Sequence, residues 1–518
     1  MEDHMLENNQ EQPRTKKQQL ILVISIIIAG LCSILYELLV STCSSYFLGD
    51  SIKQFSITIG VYMASMGLGA FLSRRFTLHL VHSFIWTELL LSLIGGLSIP
   101  LLYFSFSLTS YYTPIMLLTI SVIGVLTGLE VPFLTRILEH TKGLQKSISD
   151  VLSFDYLGAL AATLAFPFFI LPFLGVYNAS IAVGMLNIGL AWINLYFFRT
   201  ELTKKQQGRL LFFNSASTIL LALALISSSE LLKVWENELY EDRIVYTKQT
   251  PYQRIVLTRE KDDLRLFLNG NLQFSSTDEY RYHETLVHFP IARMHTAPTS
   301  VLVLGGGDGL AIRELLKYNE IQQIDLVELD KEVIELCKKH ASIKLLNNNS
   351  LADRRVSFIE HDAFTFIQST NTQYDLIVID LPDPNTIGLT RLYSKAFYHS
   401  LYSILSPEGV FITQATSPYF AKKVFWCINQ TIQSSGFTTV PLHTFIPSFG
   451  DWGFIMGAKN RLKPTTSRQL VSTSFFKPDL IDKLIYFEKD IALPTDIEVN
   501  TLNNPVLQSY YSKAWKQW

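Results

Sequence analysis

The sequence predicts a multi-span α-helical membrane domain, followed by a small β-hairpin domain and then a Rossmann-like α/β sheet. Three observations lead there. The first 230 residues contain repeated apolar runs, each roughly the 20 residues that a bilayer core requires of a helix. Residues 240–285 alternate apolar and polar positions around an Asn-Gly pair, a hairpin signal. Beyond Ser300, apolar strands alternate with helical stretches, the pattern of a parallel sheet covered on both faces.

Composition agrees. The chain has 518 residues, 48% hydrophobic and only 17% charged, which suits membrane helices joined to a water-facing part. A net charge of -2 gives no basic footprint, so nucleic acid is not expected as a partner. The cysteines, Cys32, Cys43, Cys337 and Cys427, lack metal-like or disulfide-framework spacing, and no metal site is expected.

Residues 1–19 read as a polar tail. The segment 20–230 reads as a transmembrane domain of about seven helices. The first is Leu20–Leu39, too long for a removable signal peptide and followed by comparable runs near 55–73, 83–106, 112–135, 151–171, 174–198 and 210–229. Positive residues collect in alternate gaps: Arg14, Lys16 and Lys17; Arg74 and Arg75; Arg136, Lys142 and Lys146; Arg199, Lys204, Lys205 and Arg209. That distribution places the N-terminus in the cytoplasm. Seven spans from there would carry the C-terminal half outside. Either the segment 210–229 lies in the interface, or another segment does not span, or the C-terminal half faces out; a cytoplasmic placement is the expectation. The expected localisation is therefore a multi-pass cell-membrane protein with a cytoplasmic catalytic domain. Glu37, Glu88, Glu130 and Asp155 fall within apolar segments, where carboxylates face a protein or water interior.

Residues 240–290 form the small β-domain, with strands at Arg254–Thr258, Leu264–Leu268 and Leu272–Phe274 around Asn269-Gly270. Residues 291–518 form the α/β domain. Its strands are read at 301–305, 326–330, 356–362, 374–380 and 409–416. Ligands of such sheets sit beyond the carboxyl ends of the strands, and acids stand there in this chain. Gly305, Gly306, Gly307, Asp308 and Gly309 form the first strand-to-helix turn, where glycines let a ligand approach the backbone. Glu328, about 20 residues on, is placed to accept the hydroxyls of a ribose. Asp362 is placed to accept from an adenine amino group. The loop lacks the third glycine of a dinucleotide fingerprint, so the pocket is one for a nucleoside rather than NAD.

Asp308 discriminates between donors. It would repel the carboxylate of S-adenosylmethionine but complement the free ammonium of the decarboxylated form. An Asp here also suits the cap of the following helix. Asp380-Leu381-Pro382-Asp383-Pro384 ends the fourth strand with two carboxylates in a stiff turn, an anionic pocket for a diamine. Amine transfer needs a neutral nucleophile, and a carboxylate nearby can hold the cation and take its proton.

GGGDG, the strand ending VELD, the DxxDP turn, Tyr282-His283-Glu284 and PSFGDWGF (Pro447–Phe454) together resemble the spermidine synthase (polyamine aminopropyltransferase) family, in its membrane-bound form. The resemblance spans about residues 240–460. It implies a methyltransferase-type sheet, decarboxylated S-adenosylmethionine as co-substrate, putrescine or a related polyamine as acceptor, no permanently bound cofactor and a homo-oligomer (dimer or tetramer). By position, Asp380 would be the proton acceptor; His283, Asp308, Asp383 and Tyr282 would contact the polyamine. Gln253, Gly305, Gly307, Glu328, Asp362 and Ala363 would line the methylthioadenosine site. The chain departs from the family at Leu381-Pro382, where a small hydroxylated or Cys-containing pair is usual, and around Thr386–Leu389, where a Gly-Pro is usual. His283 also suits a structural role, and Tyr280 and Tyr282 could be core aromatics. The tail 463–518, with Phe475, Phe476, Tyr486 and Trp515, is expected to pack on the sheet without chemistry. Two other classes remain: a methyltransferase on the same sheet, and a membrane polyamine transporter or sensor with a non-catalytic synthase-like half.

Overall fold

A computed structural model describes residues 15–48, 51–109, 111–240, 242–460 and 471–515. The first fourteen positions of the expected polar tail, Arg14 among them, lie outside the described residues, as do residues 463–470 and 516–518 of the C-terminal tail. The chain divides into two compact units, Met1–Glu241 and Asp242–Trp518.

The first unit is all helix: α1 (Lys16–Leu48), α2 (Ser51–Ser73), α3 (Leu80–Gly96), α4 (Ser98–Leu108), α5 (Tyr112–Lys142), α6 (Leu144–Ala165), α7 (Leu171–Phe197), α8 (Lys204–Ile226) and α9 (Ser228–Leu239). Six helical stretches among the described residues are long and apolar enough to cross a membrane, against the seven segments read from sequence. The difference lies in Leu144–Phe197, a continuous 54-residue helical run whose regularity is broken at Gly175, with φ 66° and ψ 176°. No L-residue with a Cβ adopts that geometry readily, so glycine makes the break possible. α2 and α5 approach so closely that a Cβ on Gly69 would stand 2.1 Å from the Val125 carbonyl oxygen, the close packing that small residues permit between apolar helices. A polar chain runs through the core of this unit. Tyr36 donates to Asn187 Oδ1 at 2.7 Å, and Asn187 Nδ2 donates to Glu88 Oε2 at 2.6 Å, joining α1, α7 and α3. α9 belongs here, with Trp235 buried and its ring 4.5 Å from that of Tyr103.

The second unit opens with a four-stranded antiparallel sheet of β1 (Arg243–Gln249), β2 (Arg254–Glu260), β3 (Asp263–Leu268) and β4 (Asn271–Ser275). Asn269 and Gly270 both have positive φ, 50° and 79°, as a tight hairpin turn between twisted strands requires. α10 (Glu279–Arg293) leads into β5 (Ser300–Gly305), α11 (Leu310–Leu315), β6 (Gln323–Glu328), β7 (Val356–Glu360), β8 (Tyr374–Asp380), β9 (Leu405–Gln414), β10 (Thr438–Ile446) and β11 (Gly450–Ala458). The sheet order is β10-β11-β9-β8-β5-β6-β7. Five strands are parallel and the β10–β11 pair is antiparallel, so the Rossmann-like sheet is mixed rather than wholly parallel. Alternation along β5 explains its burial on both faces. Val301 and Val303 enter one apolar cluster, Leu302 and Leu304 the other. The chain leaves β5 toward β6 on one side and later returns to β8 on the other. The carboxyl ends of β5 and β8 therefore flank the switch point, where α/β sheets bind ligands.

Candidate active site

Gly305 and Asp380 are register partners at that switch point. A Cβ on Gly305, which has φ 78°, would stand 2.1 Å from the Asp380 carbonyl oxygen, so only glycine fits. Gly307 is hemmed in similarly: a Cβ there would be 3.0 Å from Glu328 Oε2. The first turn thus brings bare backbone against Glu328 and Asp380 together.

Asp380 receives the Tyr282 hydroxyl at 2.6 Å on Oδ1. Burial pushes its carboxyl up, while His283 and the Tyr282 hydrogen bond hold it back. Tyr282 is braced by aromatic rings, with Phe454 at 5.1 Å and Phe449 at 6.2 Å, so part of the Pro447–Phe454 stretch serves as its backing. Tyr280 instead lines a separate cavity of about 530 Å³ with Glu279, Glu284, Arg313 and Lys317. None of Asp308, Asp380 and Asp383 lines that cavity.

His283 is buried on α10, and its Nδ1–H donates to the Glu279 carboxylate at 2.8 Å. Glu279 is itself gripped by Arg313 through Nη1 at 2.8 Å and Nη2 at 3.0 Å. Burial pulls the imidazole down, but Glu279, Asp308 and Asp380 outweigh it and lift it to about 9. His283 is therefore cationic at neutral pH. Asp308, 8% exposed, donates nothing and accepts the Leu310 N–H on Oδ1 at 2.8 Å. One oxygen does the work of a cap and the other carries no such bond. Burial pushes its carboxyl up to about 6, with His283 opposing.

At the end of β6, Glu328 accepts the backbone N–H groups of Leu329 and Asp330 on Oε1. Burial carries it up to about 7 against those bonds. Gln253 donates to Asp330 Oδ2 at 3.0 Å, which draws the β1–β2 turn to the end of β6. Asp362 caps the helix Ala363–Ser369 through the Thr365 N–H, and Arg391 pairs with its second oxygen; Ala363 is buried beside it.

Asp383, in the loop after β8, is ringed by donors that sequence reading missed. Gln414 Nε2 lies 3.2 Å from Oδ1; the hydroxyls of Thr416 and Tyr511 each lie 3.1 Å from Oδ2. Burial pushes its carboxyl up to about 6, with Tyr511, Gln414 and Thr416 opposing. Gln414 ends β9, so the strand-end rule that singled out the acids would also have found it. Thr416 has φ 57°, a rare conformation for a β-branched residue and one that marks a strained, held position. Tyr511 sits on the C-terminal helix Val506–Ala514, so the tail expected to pack on the sheet also brings a hydroxyl to Asp383. Leu381 and Pro382 present their carbonyls to the Tyr393 hydroxyl, and Gln414 also donates to Leu381. The departure from the usual residue pair therefore leaves a turn that is held by its backbone.

Comparison with known proteins places these observations. Residues 279–468 match the spermine/spermidine synthase domain. The chain is 40% identical to a polyamine aminopropyltransferase of Leptospira interrogans over 504 residues, 96% of this chain and 99% of the relative. It is 39% identical to one of Oceanobacillus iheyensis over 500 residues, 95% and 96% of the two chains. A solved spermidine synthase in complex with the transition-state analogue AdoDATO matches at 24% identity with a TM-score of 0.41, covering 53% of this chain and 89% of that one.

Proposed function

Since this chain belongs to the polyamine aminopropyltransferase family, and its work is aminopropyl transfer in polyamine biosynthesis, we propose that it joins decarboxylated S-adenosylmethionine to putrescine, giving spermidine and methylthioadenosine. The observation that carries this reading is the charge at the switch point. Asp308, Asp380 and Asp383 are partly or fully withdrawn from water, and among the described residues the cation that faces Asp308 and Asp380 is His283. Uncompensated carboxylates are costly in such a place, and substrates bearing ammonium groups offset that cost.

The chemistry follows from positions. Asp308 holds the ammonium of the donor's aminopropyl arm, and Glu328 holds its ribose. Asp383 anchors the distal ammonium of the diamine. The other amine, neutral when it reacts, attacks the methylene carbon bonded to sulfur. The C–N bond forms as the C–S bond breaks, the sulfur leaves as neutral methylthioadenosine, and the proton of the new ammonium passes to Asp380. A carboxyl pushed up by burial is better matched to proton transfer near neutrality than an exposed one. Tyr282 keeps the Asp380 carboxylate oriented, and the fixed geometry supplies the positioning.

The six apolar helical stretches support a reading of the first unit as a membrane domain. The cytoplasmic placement of the catalytic unit rests on the distribution of positive residues, and the dimer or tetramer on the family resemblance. A cytoplasmic catalytic unit requires an even number of crossings. The four cysteines are buried, so a cysteine introduced at exposed Lys261 reports the side by labelling with an impermeant maleimide. Labelling from outside intact cells would overturn the cytoplasmic placement.

The activity is tested by incubating detergent-solubilised protein with putrescine and each sulfonium donor in turn. Methylthioadenosine from the decarboxylated donor is expected. S-adenosylhomocysteine from S-adenosylmethionine would make the protein a methyltransferase instead, and binding without product would make it a sensor.

A further inference from the structure

The spermine/spermidine synthase domain ends at residue 468, yet a hydroxyl from well beyond it reaches the acceptor side of the site. We propose that Tyr511 is a positioning residue of the acceptor subsite, through which the C-terminal helix fixes the Asp383 carboxylate for the distal ammonium of the diamine. This rests on the reading of the site given above.

The donors on Asp383 are unequal. Gln414 Nε2 is already engaged at 2.6 Å with the Tyr393 hydroxyl and at 2.7 Å with the Leu381 carbonyl, and its 3.2 Å approach to Oδ1 is the loosest of its contacts. Oδ2, by contrast, takes two hydroxyls, Thr416 and Tyr511, each at 3.1 Å. The carboxylate is thereby turned so that Oδ2 faces the protein and Oδ1 is left to meet a cation. Thr416 cannot adjust freely, because its backbone is in the left-handed region and its own carbonyl accepts the Gly453 N–H at 2.8 Å. Tyr511 is therefore the second fixed point that a carboxylate needs to be held in one rotation. Burial and the neighbouring acid push the Tyr511 phenol up, so it stays a donor across the working pH range.

The helix does not depend on this bond for its place. Leu507 is fully buried in the apolar cluster beneath the sheet. Tyr510 donates to Glu498 at 3.1 Å, and Trp515 stacks on Phe420 at 5.9 Å. Upstream, Asn500 is buried and donates to the Thr390 and Tyr393 carbonyls. Tyr511→Phe thus removes one hydroxyl from an anchored helix, and Tyr510→Phe removes the neighbouring hydroxyl as a control.

The test uses full-length protein in detergent, and methylthioadenosine formation by the unmodified protein is read first. For Tyr511→Phe, KM for putrescine at pH 7 should rise about tenfold, the scale of a lost hydrogen bond to a charged group. KM for the donor and Tm should stay unchanged. Because a hydroxyl that favours the charged form of Asp383 has gone, the acid limb of kcat/KM for putrescine should also move to higher pH by about one. Tyr510→Phe should change neither. An unmodified protein that turns over while Tyr511→Phe matches it, or raises both KM values together, overturns this inference alone. An unmodified protein that forms no methylthioadenosine overturns the functional reading and this inference with it.

Discussion

Glu279→Gln probes the network behind His283 most directly. The Glu279 carboxylate accepts the His283 Nδ1–H at 2.8 Å and holds both terminal nitrogens of Arg313, with Glu279 and His283 buried. The rise of His283 from 6.5 to about 9 corresponds to about 3 kcal/mol, at about 1.4 kcal/mol per pH unit. Below pH 6.5 the imidazole is charged in both folded and unfolded chains, and that contribution is fully present; it disappears as pH rises through about 9. Burial pushes Glu279 up, but His283 and Arg313 outweigh it and hold the carboxyl low, so its contribution is present above its ordinary range and lost in acid. Both contributions coexist near pH 6. Removing one partner of a buried pair costs about 3–5 kcal/mol. The Tm gap between unmodified and variant protein should therefore be on the order of 10 °C at pH 6. By pH 9.5, where only the loss of the Arg313 contact remains, the gap should shrink to less than half. Thermal melts of both proteins across that range decide it. A gap that is constant or widens toward alkaline pH would refute the assignment of His283 as a cation held by Glu279.

Asp380→Asn should fold normally but turn over about 100-fold more slowly, the usual scale for a positioned proton acceptor; near-normal methylthioadenosine formation would remove it from the mechanism. Asp308→Asn should weaken the decarboxylated donor at least about tenfold in equilibrium titration, whereas unchanged affinity would reduce Asp308 to its bond with Leu310. A chain beginning at Asp242, after the unit boundary, should fold and bind methylthioadenosine, read by circular dichroism and calorimetry. A cut near Ser229 is the poorer choice, since it leaves Trp235 without the Tyr103 ring it packs on. Folded fragment without binding would mean that the first unit helps to build the site.

What was legible in the sequence was whatever the chain encodes over a few residues. Asn269-Gly270 declares its hairpin because the required positive φ values restrict the residue types. The strand Tyr374–Asp380 falls where its apolar run predicts it, and the acids at the strand ends converge because parallel strands end on one edge. The second strand, read as 326–330, instead spans Gln323–Glu328, since polar Gln323 and Asp325 hide its start from an apolar count. Long-range partners left no such signal. Tyr511 meets Asp383 across 128 positions, in a tail that carries no motif. Arg313 reads as a solvent-facing helix residue until Glu279, 34 positions away, is folded against it. In the first unit, hydropathy located the apolar stretches and divided 151–171 from 174–198 close to the break at Gly175, but it gave no sign that helix continues across 171–174, because length and polarity do not report how two helices join.

The polar chain Tyr36–Asn187–Glu88 has a consequence for biosynthesis. Tyr36 precedes its partner by 151 positions and Glu88 precedes it by 99. At about 5–20 residues per second, the ribosome delivers Asn187 roughly 5–20 s after Glu88. For that interval the growing chain holds an acid among apolar helices without the amide that binds its Oε2, a vulnerable state for quality control to recognise. Chains truncated before residue 187 should accordingly be degraded faster than chains truncated after residue 200, although they lack only the later helices. Equal half-lives in a pulse-chase would show that Glu88 finds another partner while it waits.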